Sequence, residues 1–365
     1  MTSHVFVHSA RVGRTLRLSA ALGLVALSIV VLFLGLRLQS AAAPESISVG
    51  LVTDTGGLSS NPFNWLAYQG LTRAEGELGV AGTVYTSTTP ADFEPNLNQC
   101  VGDGNDLCLS IGWGSSAAVQ AVAESSPATD FAIVDAEFET YTNNLRGIIF
   151  DSEQVGYLAG TLAGLMSESD IVGSVGGWEI PGVMAFVEPY RIGAQCSNPS
   201  VTVVVTYTGD FGDPEVGAAA AQAMIAQGAD VIFGVGGNMG NGAILTATQS
   251  GAWGIGVDVD LYYTWYMSGT VPGSDKLLSS AIKRVDNAVY GTIADAVSGT
   301  FTAGTRLYDL SNGGVGLAPF HEADASVTDS VRGALSRVER GLINTIINPY
   351  GPCPSYRYLP AVVKQ

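Results

Sequence analysis

"VTDTGGLSSNPFNWLAYQGL", Val52–Leu71, decides the fold. Its first residues end an apolar, strand-like run that stops at Asp54. Glycines, serines and Asn-Pro follow, which is turn chemistry. From Pro62 the apolar positions 63, 66, 67, 70, 71, 74 and 78 keep the helical period. Pro62 suits a first helical turn, with Asn61 as its cap. A strand over 46–53 that feeds a helix over 62–78 is the unit from which parallel sheets are built. A large ring and an amide, Phe63 and Asn64, stand in the first turn of that helix, beside a strand-end carboxylate. That placement suggests that something flat and polar lies between them.

The alternation continues outward. Strands are expected at 84–88, 107–114, 130–138 and 145–151, with helices over 92–101 and 117–124. It then restarts, with helices over 153–166, 182–196, 214–227 and 242–250 and strands over 171–178, 201–211, 230–237 and 253–260. A helix over 279–298 and a late strand over 305–317 complete the pattern. Two such runs imply an α/β protein with two doubly wound parallel sheets, whose strand ends and helix starts line a crevice. Asp54, Gly112, Asp135, Gly176, Gly177, Phe211, Gly236, Gly237 and Asp258 all fall just after strands. Two lobes with facing strand ends would form one cleft.

Composition narrows the function classes. The chain has 365 residues, is 47% hydrophobic and only 13% charged, which excludes intrinsic disorder. Arg11, Arg14 and Arg17 precede the uncharged run Leu18–Leu36, and Arg37 and the small residues Ser40–Ala43 follow it. That is the order of a secretory signal over 1–43. The run is long for a signal, and at ~1.5 Å per residue it nearly spans a bilayer core of about 30 Å. Cleavage after Ala42 or Ala43 and retention as an anchor both stay open; the body is exported in either case, periplasmic or at the cell surface. The net charge of −17 includes four leader arginines and no leader acids, so the body is more acidic still. Nucleic acid and anionic membrane surfaces would repel it. Cys100, Cys108, Cys196 and Cys353 read as two disulfides in an exported chain. Of three pairings, Cys100–Cys108 with Cys196–Cys353 is expected, because the first two flank the turn GDGND. No spacing supports a metal site or a cofactor, and none is expected.

At this point the residues carry a family resemblance. The opening stretch, "FDSEQVGYLAGTLAGLM", "VGSVGGWEIPGVMAFVEPYRIGA", "YTGDFGDPEVGAAAAQAMIAQGADVIFGVGGNMGNGA", "IGVDVD", "KLLSSAIKRVDNAVY" and "LSNGGVGL" resemble, in order and spacing, the basic membrane protein family. These are substrate-binding proteins of ABC transporters, and they include purine nucleoside receptors. The resemblance covers roughly Ser46–Pro319. It implies a type I periplasmic-binding-protein fold: lobe I over 46–150 with 283–305, lobe II over 151–282 with 306–352, a three-stranded hinge, and a tail over 353–365. It also implies a monomer that captures a nucleoside and hands it to a membrane permease. In the family pocket, aromatics matching Phe63 and Phe211 sandwich the base. Asp54, Asn64, Asp135 and the turn Gly236–Gly237 complete the walls, and Asp258 and Lys283 face the ribose.

The chemistry suits a nucleoside, with two apolar faces, a polar edge and a diol that can donate twice to one carboxylate. An ionised carboxylate in a closed cleft needs a partner. Lys276, Lys283 and Lys364 are the chain's lysines, which makes the placing of Lys283 informative. Structural alternatives stand beside each role. Phe63 fits the core face of its helix, Asp54 could cap its turn, Lys283 could pair with Asp286, and one of Asp258 and Asp260 could be structural. The glycines of "GVGGNMGNG" open onto a helix, yet the Lys-Ser/Thr of a P-loop is missing. His321 is the one histidine outside the leader, so no Ser-His-Asp or HExxH chemistry exists, although paired aspartates such as Asp54 and Asp135 could serve a hydrolase. A sugar or other small solute on the same fold, or a tethered sensory module, are the rival readings. The rim departs from the family after Asp260, where Leu-Tyr-Tyr-Thr stands, and Trp113, Trp178 and Tyr262–Tyr266 have no assigned role.

Overall fold

The computed structural model describes residues 46–60 and 62–354. The expected leader, the Asn61 cap and the end of the tail lie outside the described residues. The first half alternates β1 (Ser48–Val52), α1 (Pro62–Leu78), β2 (Ala81–Tyr85), α2 (Phe93–Gly102), β3 (Leu107–Ile111), α3 (Ser116–Ser125), β4 (Asp130–Val134) and β5 (Leu145–Phe150). The second runs α4 (Ser152–Met166), β6 (Ile171–Gly176), α5 (Pro181–Ser197), β7 (Thr202–Tyr207), α6 (Pro214–Ala226), β8 (Val231–Val235), α7 (Gly237–Gln249), β9 (Trp253–Asp258) and β10 (Leu277–Lys283). Then come α8 (Val285–Val297), β11 (Gly304–Tyr308), β12 (Val315–Leu317) and α9 (Asp329–Ile343). No described helix is long and apolar enough to cross a membrane.

The strands form two six-stranded sheets, β11-β5-β4-β3-β1-β2 and β12-β10-β9-β8-β6-β7. All neighbours are parallel except β12, which runs antiparallel to β10. Helices cover both faces of a parallel sheet, so its inner strands must be apolar throughout. LCLSI of β3 and VIFGV of β8 are buried at every residue. At the edge, β2 alternates exposed and covered positions.

The chain passes three times between the sheets: at Asp151, at Arg284 and over 309–314. The crossings are bonded together, Asp151 N donating to Tyr308 O and Arg284 N to Gly314 O, each at 2.8 Å. β11 reaches Tyr308 within the first sheet, so the third crossing lies a few residues beyond the expected division at 305/306. Within the second lobe, Gly156, Gly160 and Gly164 of α4 lie on one helical face against α5. A Cβ at any of them would run into the backbone of Phe186, Tyr190 or Ala194. Disulfides join Cys100 to Cys108 and Cys196 to Cys353, as expected.

Four expectations change. The expected helix over 279–298 is two elements, because Leu277–Lys283 is a central strand of the second sheet and the helix starts at Val285. A single residue, Arg284, separates them, so no turn signal marks the boundary. The helix expected from Gly242 starts at Gly237. The late strand is two short strands, one in each sheet. The second strand lies at 81–85 instead of 84–88, in register with Ser48–Val52. The terminal helix α9 was not among the expected elements; Thr328 caps it, its Oγ1 accepting from Val331 N at 3.4 Å.

Candidate ligand cleft

The strand ends of both sheets meet at one cavity of about 410 Å³. Asp54, Phe63, Asp135, Phe211, Gly236, Gly237, Asp258 and Lys283 all line it. Asn64 does not. It is fully buried behind the wall, where its Oδ1 accepts from Asp54 N at 2.9 Å and its Nδ2 donates to the carbonyls of Asp54 and Gly57, each at 3.0 Å. Both amide hydrogens are therefore spent inside the protein. The expectation that Asn64 touches a ligand is corrected: it holds Asp54 against the start of α1, which carries Phe63.

Each polar residue owes its position to a strand end. Asp135 follows β4 and Asp258 ends β9, and both adopt left-handed backbone, with φ of 62° and 64°. That conformation costs about 1–3 kcal/mol per residue and persists where the surroundings impose it. Lys283 ends β10, and its Nζ lies 2.9 Å from Asp135 Oδ2. Asp286, the alternative partner, pairs with Arg284 instead. Lys283 is 7% exposed. Burial works against its charge, but Asp135 and then Asp258 outweigh it and hold its pKa above the usual lysine value. Burial pushes the Asp258 carboxyl up; Lys283 opposes that rise and Asp135 adds to it. The ammonium also lies 5.3 Å from the Phe186 ring, 5.8 Å from Phe150 and 5.9 Å from Phe63, within cation–π reach.

Asp54 occupies a different setting. Its Oδ1 accepts from Thr55 N at 2.7 Å, and burial raises its pKa against that bond. Phe211 lies on a glycine floor. A Cβ at Gly177 would collide with its ring, and one at Gly236 would come within 3.0 Å of it. Two glycine turns thus seat one aromatic on the second lobe, with 37% of its surface exposed. Phe63 stands on the first lobe.

The sequence missed most of the apolar wall: Ile180, Val183 and Phe186 at the start of α5, Val235, Val257, and Trp113. Trp113 had a usable signal, a large ring directly after a strand-end glycine, and it is 65% exposed at the cavity. The run Tyr262–Tyr266 does not line the cavity. Tyr262 stacks on His321 with centroids 4.0 Å apart, and Tyr266 is buried against Thr248. Asp260 is the structural member of its pair. It caps the turn at Tyr262, and its Oδ2 lies 2.8 Å from His321 Nε2.

Two lobes of this topology, joined by three adjacent crossings around a cleft of strand ends, define a solute-binding protein of the type I periplasmic-binding fold. An ABC transporter solute-binding protein from Aeropyrum pernix K1 matches it with a TM-score of 0.71 at 26% identity, over 85% of this chain and 94% of that one. A second, from Conexibacter woesei, shares the fold with a TM-score of 0.69 at 23% identity, over 83% and 98% of the two chains. The chain belongs to the Bmp family, the PnrA-like substrate-binding proteins of ABC transporters, whose pattern matches residues 47–354. This is a family of binding proteins rather than of enzymes. Similar relatives include a CD4+ T-cell-stimulating antigen of Listeria monocytogenes, 34% identical over 75% of this chain and 80% of its own length. The ABC transporter nucleoside-binding protein BmpA of Lactococcus lactis is 30% identical over 88% and 97%. An uncharacterized lipoprotein of Pyrococcus abyssi is 30% identical over 81% and 74%.

Proposed function

We propose that this protein is the extracytoplasmic receptor of an ABC importer, and that it captures a nucleoside, preferentially a purine nucleoside, and delivers it to a membrane permease. One observation carries the reading: Phe63 and Phe211 come from different lobes and line the same cavity, which also holds the Asp135–Lys283–Asp258 group. A base between the two rings would be stacked on both faces. The ribose diol would then donate to Asp258 while Lys283 keeps that carboxylate compensated. The nucleoside-binding name of the Lactococcus lactis relative supports the same ligand class. Lobe closure about the three crossings would complete the sandwich. The protein acts as a monomer and leaves its ligand chemically unchanged.

Calorimetric titration of ligand-stripped protein with adenosine, guanosine, inosine, uridine, ribose and a free base tests this. Micromolar or tighter binding of nucleosides, with ribose alone much weaker and the nucleoside recovered intact, is the expected result. Ribose binding as tightly as a nucleoside would transfer the site to the sugar binders of this fold.

A further inference from the structure

Trp113 lines the cavity outside both the aromatic sandwich and the charged group. Its backbone is firmly held. Gly112 N donates to Val134 O at 3.1 Å, and Ser115 N and Oγ donate to Gly112 O at 3.3 and 3.1 Å. Ser115 Oγ also lies 2.8 Å from Ser110 Oγ, and the Ser116 hydroxyl donates to the Trp113 carbonyl. The side chain is in the opposite state. It is 65% exposed, and no ring stack, cation or hydrogen bond engages the indole among the described residues. An indole is a large apolar body, so covering it is favourable. The other lobe has the complementary shape. β3 and β8 each hold the fourth place in their sheets. Where β3 leads through Gly112 to Trp113, β8 leads through Gly236 to Gly237, and both of these glycines line the cavity. A Cβ at Gly237 would come within 2.7 Å of the Phe211 carbonyl, so the wall there stays bare backbone. One lobe carries a knob and the other a shallow seat.

We propose that Trp113 is a further ligand-binding residue, whose indole covers the nucleoside when the lobes close and sets the rate at which it leaves. The inference rests on the nucleoside reading above. A hinge motion about the three crossings brings the strand ends of the two sheets together. The fixed backbone makes the indole travel with the first lobe, toward the Gly236–Gly237 wall, with the nucleoside enclosed behind it. Its apolar surface leaves water only in that closed state. A contact made only there stabilises the complex without speeding encounter, so it acts on release rather than on capture. Knob and seat are both uncharged, so the cover lengthens residence without choosing between bases.

The experiment follows association and dissociation of radiolabelled adenosine and inosine on the full-length protein, as wild type, Trp113→Phe and Trp113→Ala, with melting temperature as the folding control. Trp113→Ala should release both nucleosides about 5- to 150-fold faster, the span of one aromatic contact to a base. Association rates should change by less than about threefold. Trp113→Phe should fall between wild type and Trp113→Ala. Acrylamide quenching gives a second reading: bound nucleoside should shield tryptophan fluorescence in the wild type, and that shielding should be missing in Trp113→Ala. Unchanged dissociation from Trp113→Ala would overturn the proposal while leaving the nucleoside reading intact. So would a wild-type complex whose tryptophans stay as open to acrylamide as those of the free protein. Absence of binding by both nucleosides in the wild type would overturn both. If Trp113→Ala does not fold, Trp113→Phe and the wild-type quenching decide.

Discussion

At Lys283 one ammonium serves two carboxylates, and the energetics of the cleft follow from that. Removing one partner of a buried ion pair leaves uncompensated charge, a larger loss than the pair's net worth. Lys283→Met should destabilise the protein by about 3–5 kcal/mol at neutral pH, measured by urea unfolding. The sign with pH follows from Asp258, whose folded-state pKa is already raised. Without Lys283 the folded carboxyl would bind its proton more readily than the unfolded one. The loss should be complete above the folded pKa and should disappear as pH falls toward the unfolded value. Asp54 follows the same logic with a smaller effect. Its raised pKa makes the ionised form destabilising, so Asp54→Asn should melt higher than wild type at neutral pH, and the difference should close in acid. At the aromatic walls, Phe63→Ala and Phe211→Ala should each weaken nucleoside binding by about 1–3 kcal/mol in calorimetry. At this scale the charged end of the site was legible in the sequence, since strand-end aspartates and a scarce lysine stand out. Asn64 was misread because an amide beside an aromatic looks the same whether it faces a ligand or its own backbone. Ile180, Val183 and Phe186 were not legible as lining residues, because an apolar helix start has the same composition in a core and in a cleft.

Among the elements, the glycines set what can approach what. Gly177→Ala places a methyl group where the Phe211 ring lies. It should lower nucleoside affinity by at least as much as Phe211→Ala does while leaving the melting temperature within a few degrees, because the ring can swing into the open cleft. Gly160→Ala is the opposite case. Its methyl group meets the Tyr190 backbone inside a packed helix pair. A loss of about 1–3 kcal/mol or more in unfolding free energy is expected, with little change in affinity for the protein that remains folded. The same glycines governed what could be read. α7 starts five residues before its apparent start because Asn-Met-Gly-Asn has low helical propensity, and the fold requires it there. A Cβ at Gly242 would strike the Pro214 carbonyl, and one at Gly240 would crowd Gly234 and Val235. β10 was hidden for another reason. Its residues are buried almost without a break, and such a run has no period to distinguish strand from helix.

For the whole molecule, the two disulfides differ in reach. Cys100–Cys108 closes a separation of 8 residues and Cys196–Cys353 one of 157. Loop entropy assigns them about 2.6 and about 5 kcal/mol respectively. Cys196→Ser with Cys353→Ser should therefore cost the larger part of the redox-dependent stability, read as the shift in denaturant midpoint with and without reductant. The two-lobed plan was visible in the sequence because alternation restarts near residue 153; the three crossings were expected only through the family resemblance, since periodicity does not say which sheet a strand joins. The strand orders show what those crossings connect. β1 to β5 and β11 are matched one for one by β6 to β10 and β12. Left-handed Asp135 recurs as Asp258, and Gly112, with φ of 87°, recurs as Gly236 with φ of 144°. Strands β1 to β5 and then β6 to β10 repeat one plan along the chain, the sixth strands β11 and β12 differing in direction, and the cleft is the seam between the two. A nucleoside bound there as proposed has no such symmetry and would take its orientation from where the copies disagree: Asp54 against Gly177, and Trp113 against Gly237. Exchanging residues between those paired positions would drive an aspartate side chain into the Phe211 ring and set a tryptophan on left-handed backbone at Gly237, so the two glycines of the second half keep the copies different.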